Sequence, residues 1–208
     1  MKRRFIIFDR DGVINVEKSY LHRIKDFEYE NGVIEGLKEL KKLGYKFIII
    51  TNQAGIAKGY YTEEDYLKLE KFITDDLLSE GIIMEKTYYC PHHPEGIGKY
   101  RKECTCRKPG KGNFLKAVDE FDIDIESSYM VGDRVTDLIP AEELGFKTVL
   151  VKTGYGIENI GKVKERNLKS LIVENIPEFV YYMKNENLSK LSQNIIEKIL
   201  VKCYNFIM

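Results

Sequence analysis

The sequence lacks three features that mark other classes of protein: a net charge, a long apolar run and a large set of cysteines. Lys plus Arg and Asp plus Glu both number 33 among 208 residues, so the charge balance gives no indication of a nucleic-acid or membrane partner. No apolar stretch approaches the roughly 20 residues that span a bilayer. The basic start, Met1 to Arg4, precedes only a short apolar run and does not resemble a signal peptide. We therefore expect a cytoplasmic protein that acts on neither nucleic acids nor membranes.

The four cysteines are better explained by metal binding than by disulfides, because thiols stay reduced in the cytoplasm. Cys90 and His92 form a C-x-H pair in the segment 90–109. Cys104 and Cys106 form a C-x-C pair in the same segment. Four such ligands can close a tetrahedral structural site, so the spacing predicts that these residues bind Zn²⁺. The alternative is two unrelated pairs in one loop.

Two further residues could be mistaken for ligands of this site. His93 is a second candidate for the histidine ligand, but its side chain would point away if that of His92 points toward the ion. Cys203 is distant in the sequence and is interpreted as a buried apolar thiol. We count neither among the expected ligands.

An apolar run near the start leads directly into two carboxylates. Phe5–Phe8 has no polar alternation, which is typical of a strand buried on both faces of a parallel sheet. Asp9 and Asp11 follow it, and the carboxyl ends of such strands are where open α/β sheets bind ligands. The alternative is an aspartate-rich turn, since Asp and Gly are common in turns.

The rest of the chain alternates apolar runs with helical patterns. Apolar runs predict strands at 47–50, 87–89, 129–131, 148–151 and 170–173. Helices are predicted at 33–43, 62–78, 111–121 and 177–184, and a further short helix after residue 137 is predicted to end at 144. This alternation is typical of a doubly wound parallel sheet with helices on both faces, so we predict an α/β fold. The polar and aromatic segment 15–30 is interpreted as a flap over the first strand.

The length suits one domain, which we place at 1–187. Residues 188–208 carry apolar side chains at helical spacing and predict an amphipathic C-terminal helix. We expect this helix to pack on its own domain, which favours a monomer over a homodimer. Residues 156–163 have the G-x4-G-K spacing of a phosphate-binding loop, but Val163 replaces the required Ser or Thr, so we interpret them as a surface loop.

Polar residues follow the predicted strands in a recognisable order. The segment Asp9-Arg10-Asp11-Gly12-Val13, the pair Thr51-Asn52, Lys108 with Pro109, and the GDxxxD pattern from Gly132 to Asp137 resemble the motifs of the haloacid dehalogenase phosphatase superfamily. The cysteine loop directly before Lys108 is similar to the subgroup that contains histidinol-phosphate and sugar bisphosphate phosphatases. The resemblance spans roughly 4–184 and implies a Rossmann-like fold without a large cap domain.

These residue types also suit the hydrolysis of a phosphate monoester, which needs a nucleophile, a proton donor and positive charge. Asp9 can attack phosphorus and carry an aspartyl phosphate, while Asp11 can protonate the leaving oxygen and then activate water. Lys108 and Thr51 can contact the phosphoryl oxygens. Mg²⁺ prefers oxygen ligands, so we expect Asp9, the backbone carbonyl of Asp11, and Asp133 to bind it.

The resemblance implies that a small sugar phosphate is the substrate and suggests which residues recognise it. They are Glu17, Tyr20, Asn52, Gln53, Ala54, Arg107 and Arg134. Arg107 follows the ligand Cys106 and precedes Lys108, so we expect its guanidinium to grip the sugar or a second phosphate. Asp137 is expected to brace Lys108 or water on the metal.

Three functional hypotheses follow. The first is a sugar bisphosphate phosphatase that contributes to activated sugars for lipopolysaccharide or related glycans. The second is a histidinol-phosphate phosphatase. The third is a catalytically silent protein that uses the zinc loop for interactions. The intact set of nucleophile, acid, lysine and metal aspartate favours a phosphatase over the third hypothesis.

Overall fold

A six-stranded parallel sheet forms the centre of the structure, a computed structural model that describes residues 2–186. The strands occur in the order β3-β2-β1-β4-β5-β6. They are β1 (Phe5–Phe8), β2 (Lys46–Asn52), β3 (Met84–Cys90), β4 (Tyr129–Gly132), β5 (Lys147–Val151) and β6 (Leu171–Val173). From β1, the strands β2 and β3 extend the sheet toward one edge, and from β4, the strands β5 and β6 extend it toward the other edge. The carboxyl ends of β1 and β4 therefore flank the point where the winding reverses, which is where such sheets form a crevice.

Helices cover both faces of this sheet, as the alternating pattern predicted. They are α1 (Val33–Lys42), α2 (Ala54–Ala57), α3 (Glu63–Ser79), α4 (Gly112–Phe121), α5 (Val135–Glu142), α6 (Gly156–Glu165) and α7, which covers 176–186 of the described residues. The start of α3 is fixed by a capping box, in which the Thr62 hydroxyl accepts from the Asp65 amide and the Asp65 carboxylate accepts from the Thr62 amide. The doubly wound α/β prediction is confirmed.

Alternation of side chains along the strands divides the core between the two faces. Ile6 and Phe8 of β1 pack in one cluster with α1, α3 and α7. Phe5 and Ile7 pack in another cluster with α4 and α5. All four side chains are 0% exposed, as expected for a strand that is covered on both faces. This double burial fixes the end of β1, and hence Asp9, in one position.

The segment 156–163 corrects the sequence interpretation, because it is not a surface loop. It forms most of α6, whose Val163 is 2% exposed and packs with α5 and β5. Asn159 fixes this helix: its Oδ1 accepts from the Val135 amide and its Nδ2 donates to the Tyr155 carbonyl. A Cβ at Gly156 would lie only 1.7 Å from the carbonyl oxygen of Val151, so glycine permits the close approach of α6 to β5. These contacts are tertiary and leave little periodic signal.

The predicted amphipathic helix at 188–208 and Cys203 lie outside the described residues, so both interpretations stay predictions. The predicted domain boundary at 187 also lies outside the described residues. Among residues 2–186, no helix combines the length and apolar character needed to cross a membrane.

Two leucines on α3 give a matched test of the core assignment. Leu69 is 0% exposed, whereas Leu67 is 48% exposed. We expect Leu69→Ala to lower the free energy of unfolding by about 2–5 kcal/mol because it leaves a cavity. Leu67→Ala should change it by less than about 0.5 kcal/mol. Urea denaturation followed by circular dichroism measures both, and equal losses would contradict this packing.

Candidate active site

A cavity of about 400 Å³ lies at the carboxyl ends of β1, β2 and β4. Its volume is in the range of small-molecule sites. Every residue that the sequence suggested as catalytic or substrate-binding lines this cavity: Asp9, Asp11, Glu17, Tyr20, Thr51, Asn52, Gln53, Ala54, Arg107, Lys108 and Arg134. The sheet topology therefore brings together segments that are up to about 125 residues apart in the sequence.

The ammonium group of Lys108 joins the carboxylate at the end of β1 to one in the first turn of α5. Its Nζ lies 2.9 Å from Asp9 Oδ1 and 2.8 Å from Asp137 Oδ1, and it donates to the Ile50 carbonyl oxygen at 2.6 Å. Burial alone would lower the pKa of Lys108, but the charges of Asp137 and Asp9 outweigh it, so the pKa is raised. The lysine therefore stays protonated and places a positive charge at the wall of the cavity.

Asn52 fixes the backbone that carries this lysine. Its Oδ1 accepts from the Lys108 amide at 3.0 Å, and its Nδ2 donates to the Lys108 carbonyl at 3.1 Å. The sequence suggested a substrate contact for Asn52. The structure instead engages both ends of the carboxamide with the backbone of Lys108, which is a positioning arrangement.

The acidic side chains beside Lys108 could hold a divalent cation. Asp9, Asp133 and Asp137 each place a carboxylate oxygen within 4.8 Å of the others. Burial raises the pKa of Asp9 to about 6. Burial, with the charges of Asp137 and Asp9, raises the pKa of Asp133 to about 8. Such shifts indicate buried negative charge that the protein alone does not fully compensate.

The contacts of Asp133 and Asp137 distinguish their roles at this site. Asp133 Oδ1 is buried and has no hydrogen-bond partner within residues 2–186, whereas Oδ2 accepts from the Tyr155 amide. Both oxygens of Asp137 are used, one by Lys108 and the other by the Arg134 amide. A Cβ at Gly12 would lie 2.5 Å from Asp133 Oδ2, so glycine leaves this carboxylate its space. Asp9 and Asp133 fit the hard oxygen ligands of Mg²⁺, and Asp137 braces Lys108 as expected.

Three donors hold the carboxylate of Asp11. Arg10 Nη2 lies 3.0 Å from each of its oxygens, Asn15 Nδ2 donates to Oδ1 at 3.0 Å and Gln53 Nε2 donates to Oδ2 at 3.0 Å. Sequence reasoning missed Arg10 and Asn15. The sequence feature that could have identified Arg10 is its position between the two aspartates, directly after the buried strand β1.

Gln53 links Asp11 to the predicted phosphoryl ligand Thr51. Its Nε2 also donates to Thr51 Oγ1 at 2.9 Å, and its Oε1 accepts from the Tyr61 hydroxyl at 2.6 Å. Gln53 is 2% exposed and Thr51 is 1% exposed. Both polar ends of Gln53 are therefore engaged within the protein, which favours a positioning role over the suggested substrate contact.

The mouth of the cavity combines a strained loop with three cationic side chains. Ser19 and Tyr20 have φ angles of 47° and 64°, in the left-handed region that non-glycine residues rarely adopt. The Tyr20 hydroxyl accepts from Lys58 Nζ at 3.0 Å. Lys58, Arg107 and Arg134 all line the cavity. Lys58 belongs to none of the recognised motifs, so its place at the cavity was not predicted.

Two further contacts shape this mouth. The Arg134 guanidinium lies 3.7 Å from the centroid of the Tyr155 ring, which fixes its direction through a cation–π contact. Glu17 lies opposite, and burial, followed by the charge of Asp11, raises its pKa. The mouth therefore offers both cations and a hydrogen-bonding carboxylate to a polar, anionic ligand.

The predicted metal-binding residues of the loop 90–109 converge. The sulfurs of Cys90, Cys104 and Cys106 lie 3.2–3.5 Å from one another, and His92 Nδ1 lies 3.3 Å from Cys106 Sγ. Four donors this close can surround one tetrahedral metal ion. His93 is not part of this group and lines the active-site cavity instead, in agreement with the choice of His92 as the expected ligand.

A carboxylate on α3 supports this loop. Glu63 accepts from the hydroxyl of Tyr89 at 2.8 Å and from that of Tyr100 at 2.7 Å. Arg107 and Lys108 follow the last cysteine directly. The conformation of the cysteine cluster therefore sets the position of two cations of the active site.

The fold and the aspartates at its strand ends define a hydrolase of the haloacid dehalogenase class. The HAD-hydrolase-like family matches residues 105–178. The crystal structure of D,D-heptose 1,7-bisphosphate phosphatase from B. bronchiseptica, complexed with magnesium and phosphate, superposes with a TM-score of 0.77. The two sequences are 24% identical, and the aligned region covers 88% of this chain and 99% of the B. bronchiseptica chain. This likeness supports the fold.

Curated relatives are similar over nearly the whole domain. D-glycero-beta-D-manno-heptose-1,7-bisphosphate 7-phosphatase from Haemophilus ducreyi is 41% identical and covers 85% of this chain and 98% of its own. The D-glycero-alpha-D-manno-heptose-1,7-bisphosphate 7-phosphatase from Photorhabdus laumondii is 47% identical and covers 74% of this chain and 85% of its own. The chain belongs to this family of heptose bisphosphate phosphatases.

The contacts of Asn52 predict a specific kinetic defect. Asn52→Ala removes both hydrogen bonds to the Lys108 backbone, and a small displacement of a catalytic group can cost about 10²-fold in rate. We expect kcat for any phosphate ester to fall by about that factor, while the melting temperature changes little. Asn185→Ala, an exposed asparagine on α7, is the matched control. Unchanged kcat in Asn52→Ala would contradict the positioning role.

Proposed function

We propose that the chain removes the 7-phosphate from D-glycero-D-manno-heptose 1,7-bisphosphate in a Mg²⁺-dependent reaction. The observation that carries this proposal is the position of Lys108 Nζ between Asp9 and Asp137 on the wall of the cavity, where Asp133 Oδ1 accepts no hydrogen bond from residues 2–186. The names of the relatives support the substrate. The magnesium and phosphate in the B. bronchiseptica complex support the cation and the bound group. Such a reaction would contribute to activated heptose for lipopolysaccharide or related glycans.

The residues of the site suit a two-step transfer. A carboxylate oxygen of Asp9 attacks phosphorus, and the bond between phosphorus and the C7 oxygen breaks as Asp11 donates a proton to that oxygen. Asp11 then takes a proton from water, whose oxygen attacks phosphorus. The bond from phosphorus to Asp9 breaks, which releases phosphate and restores the carboxylate. Each proton and electron pair is accounted for by these two aspartates and one water.

Charge stabilisation accompanies both steps. Lys108 and Thr51 line the cavity beside Asp9 and can bind the nonbridging oxygens. Bound at Asp9, the backbone carbonyl of Asp11, and Asp133, Mg²⁺ would supply further positive charge. Asp137 keeps Lys108 protonated and oriented. The site therefore compensates charge on the phosphoryl group while Lys108 itself stays protonated.

Substrate comparison tests this function. With Mg²⁺, we expect the full chain to release the 7-phosphate of the bisphosphate much faster than the phosphate of histidinol phosphate, as followed by phosphorus NMR. Both anomers should be assayed, since the relatives are named for each. Asp9→Asn should abolish turnover, because an amide cannot form the acyl phosphate. Faster hydrolysis of histidinol phosphate would replace the proposed substrate, and no phosphatase activity would favour an interaction protein.

Arg107 supplies a test of substrate recognition. Its Nη1 is buried and has no hydrogen-bond partner in the described part of the chain, and its side chain lines the cavity. Hydrogen bonds to charged groups are worth roughly 1.5–3 kcal/mol. We expect Arg107→Ala to raise KM for the bisphosphate by about 10- to 100-fold and to affect p-nitrophenyl phosphate much less.

The matched control for Arg107 is Arg101→Ala, because Arg101 is an exposed arginine of the same loop. It should leave both KM values unchanged. Equal losses on both substrates in Arg107→Ala would refute recognition of the sugar or its second phosphate and would instead indicate a general disturbance of the site.

We also propose that the cysteine cluster binds Zn²⁺ as a structural ion. Three thiols and one imidazole occupy all four positions of a tetrahedron, so no position is open for a catalytic water. The ion would hold the loop that presents Arg107 and Lys108. Unlike the aspartate site, this donor set is soft, which favours Zn²⁺ over Mg²⁺.

Metal analysis of cysteine variants tests the zinc proposal. The purified protein should contain about one zinc ion per chain. Cys104→Ser should lose zinc, lower the melting temperature and raise KM, because the loop is no longer fixed. Cys203→Ser is the matched control and should keep its zinc. Full activity after complete zinc removal would contradict the proposed structural role.

A further inference from the structure

Arg10 is a fully buried cation between the two aspartates of β1's end. Its side chain is 0% exposed. Nη2 lies 3.0 Å from both oxygens of Asp11 and donates to the Leu21 carbonyl at 3.3 Å. Arg10 is the donor that contacts both oxygens of this carboxylate, whereas Asn15 and Gln53 contact one each. It therefore fixes the plane of the Asp11 carboxylate more completely than either amide does.

The other side of Arg10 packs on α3. Its guanidinium carbon lies 5.5 Å from the centroid of the Tyr66 ring, and the Tyr66 hydroxyl donates to Glu70 Oε2 at 3.2 Å. Tyr66 is 0% and Glu70 8% exposed. Burial alone would lower the pKa of Arg10, but Asp11, Tyr66 and Glu70 outweigh it and raise the pKa. The Tyr66 ring thus packs behind the guanidinium, and the Glu70 carboxylate that Tyr66 binds adds a favourable charge.

Stability alone does not explain this buried cation. Charges are costly to bury unless hydrogen bonds satisfy them, and apolar residues of similar volume are often as stabilising. Arg10 Nε and Nη1 have no hydrogen-bond partner among residues 2–186, and neither has Glu70 Oε1. The hydrogen bonds that Arg10 does make are concentrated on Asp11. A general acid must lie in line with the leaving oxygen, so a fixed carboxylate plane has direct catalytic value.

We propose that Arg10 is a positioning residue for the acid–base group Asp11, packed against the Tyr66 ring of α3 with the Glu70 carboxylate behind that ring. This inference rests on the proposed function, because it assumes that Asp11 protonates a leaving oxygen. Lysine is not equivalent, because an ammonium lacks the flat guanidinium surface that packs over the Tyr66 ring and would place its charge differently beside Asp11.

The dependence of kcat/KM on the leaving group distinguishes a misplaced general acid from a general disturbance of the active site. An alkyl phosphate such as β-glycerophosphate needs a proton on its leaving oxygen, whereas p-nitrophenyl phosphate has a stable anion as leaving group. The parameter kcat/KM reports the first transfer step. We expect Arg10→Lys to lower kcat/KM for the alkyl ester about 10- to 100-fold more than for the aryl ester, in the same direction as Asp11→Asn. Arg166→Lys, an exposed arginine after α6, should leave the ratio unchanged.

Equal losses on the two esters in Arg10→Lys would overturn the proposal. If Arg10→Lys fails to fold, Glu70→Gln decides instead, because it keeps shape and removes only the charge behind Arg10. A fall of the alkyl-to-aryl ratio by about 3-fold or more would support the proposal, and an unchanged ratio would overturn it. Both esters are generic, so this result does not depend on the heptose substrate. If the unaltered protein hydrolyses neither ester with Mg²⁺, the proposed function itself fails.

Discussion

The buried ammonium of Lys108 is the interaction on which the active site depends. Asp9, Asp133 and Asp137 lie close together in a poorly solvated place, where like charges repel strongly. Lys108 lies within 2.9 Å of two of them and offsets part of that repulsion. The remaining negative charge suits a divalent cation. One side chain therefore both makes the acidic cluster tolerable and prepares it to receive a phosphoryl group.

Lys108 comes from a loop and not from a strand, so other parts of the molecule must fix it. Asn52 at the end of β2 binds the backbone of Lys108 on both sides. The cysteine cluster holds the segment just before it, and Glu63 on α3 binds the tyrosines that flank that cluster. The loop is thus held by the sheet, by a helix and by a site for a metal ion. These three supports explain how the structure keeps a loop cation in a precise place.

The two aspartates of β1 sit one residue apart but have different surroundings. Asp9 contacts a lysine and lies beside Asp133, whereas Asp11 is held by Arg10, Asn15 and Gln53. Distinct environments are how a protein gives two carboxylates distinct roles. In the proposed reaction Asp9 would meet the charge of the phosphoryl group, while neutral amides and one guanidinium hold the proposed proton carrier Asp11 in a fixed orientation.

Local pattern was enough to predict most of the fold and the members of the site. The continuous apolar run of β1 and the stripe of α1 follow directly from burial, and the pairs around Cys90 and Cys104 follow from ligand spacing. Prediction was weaker at the sheet edge, where β3 begins at Met84, three residues earlier than expected. Its charged residues Glu85 and Lys86 are tolerated because an edge strand is exposed on one side.

What the sequence by itself determined is therefore the order of elements and the chemical types at the strand ends. Only the tertiary structure decided which group each side chain serves. Asn52 turns to the Lys108 backbone, 56 residues away, and α6 forms where contacts from Asn159 outweigh a weak helical pattern. Arg10 meets α3 instead of solvent. Periodicity and spacing report local burial. The contacts of Asn52, Asn159 and Arg10 instead depend on residues that are distant in sequence and become neighbours only when the sheet has assembled.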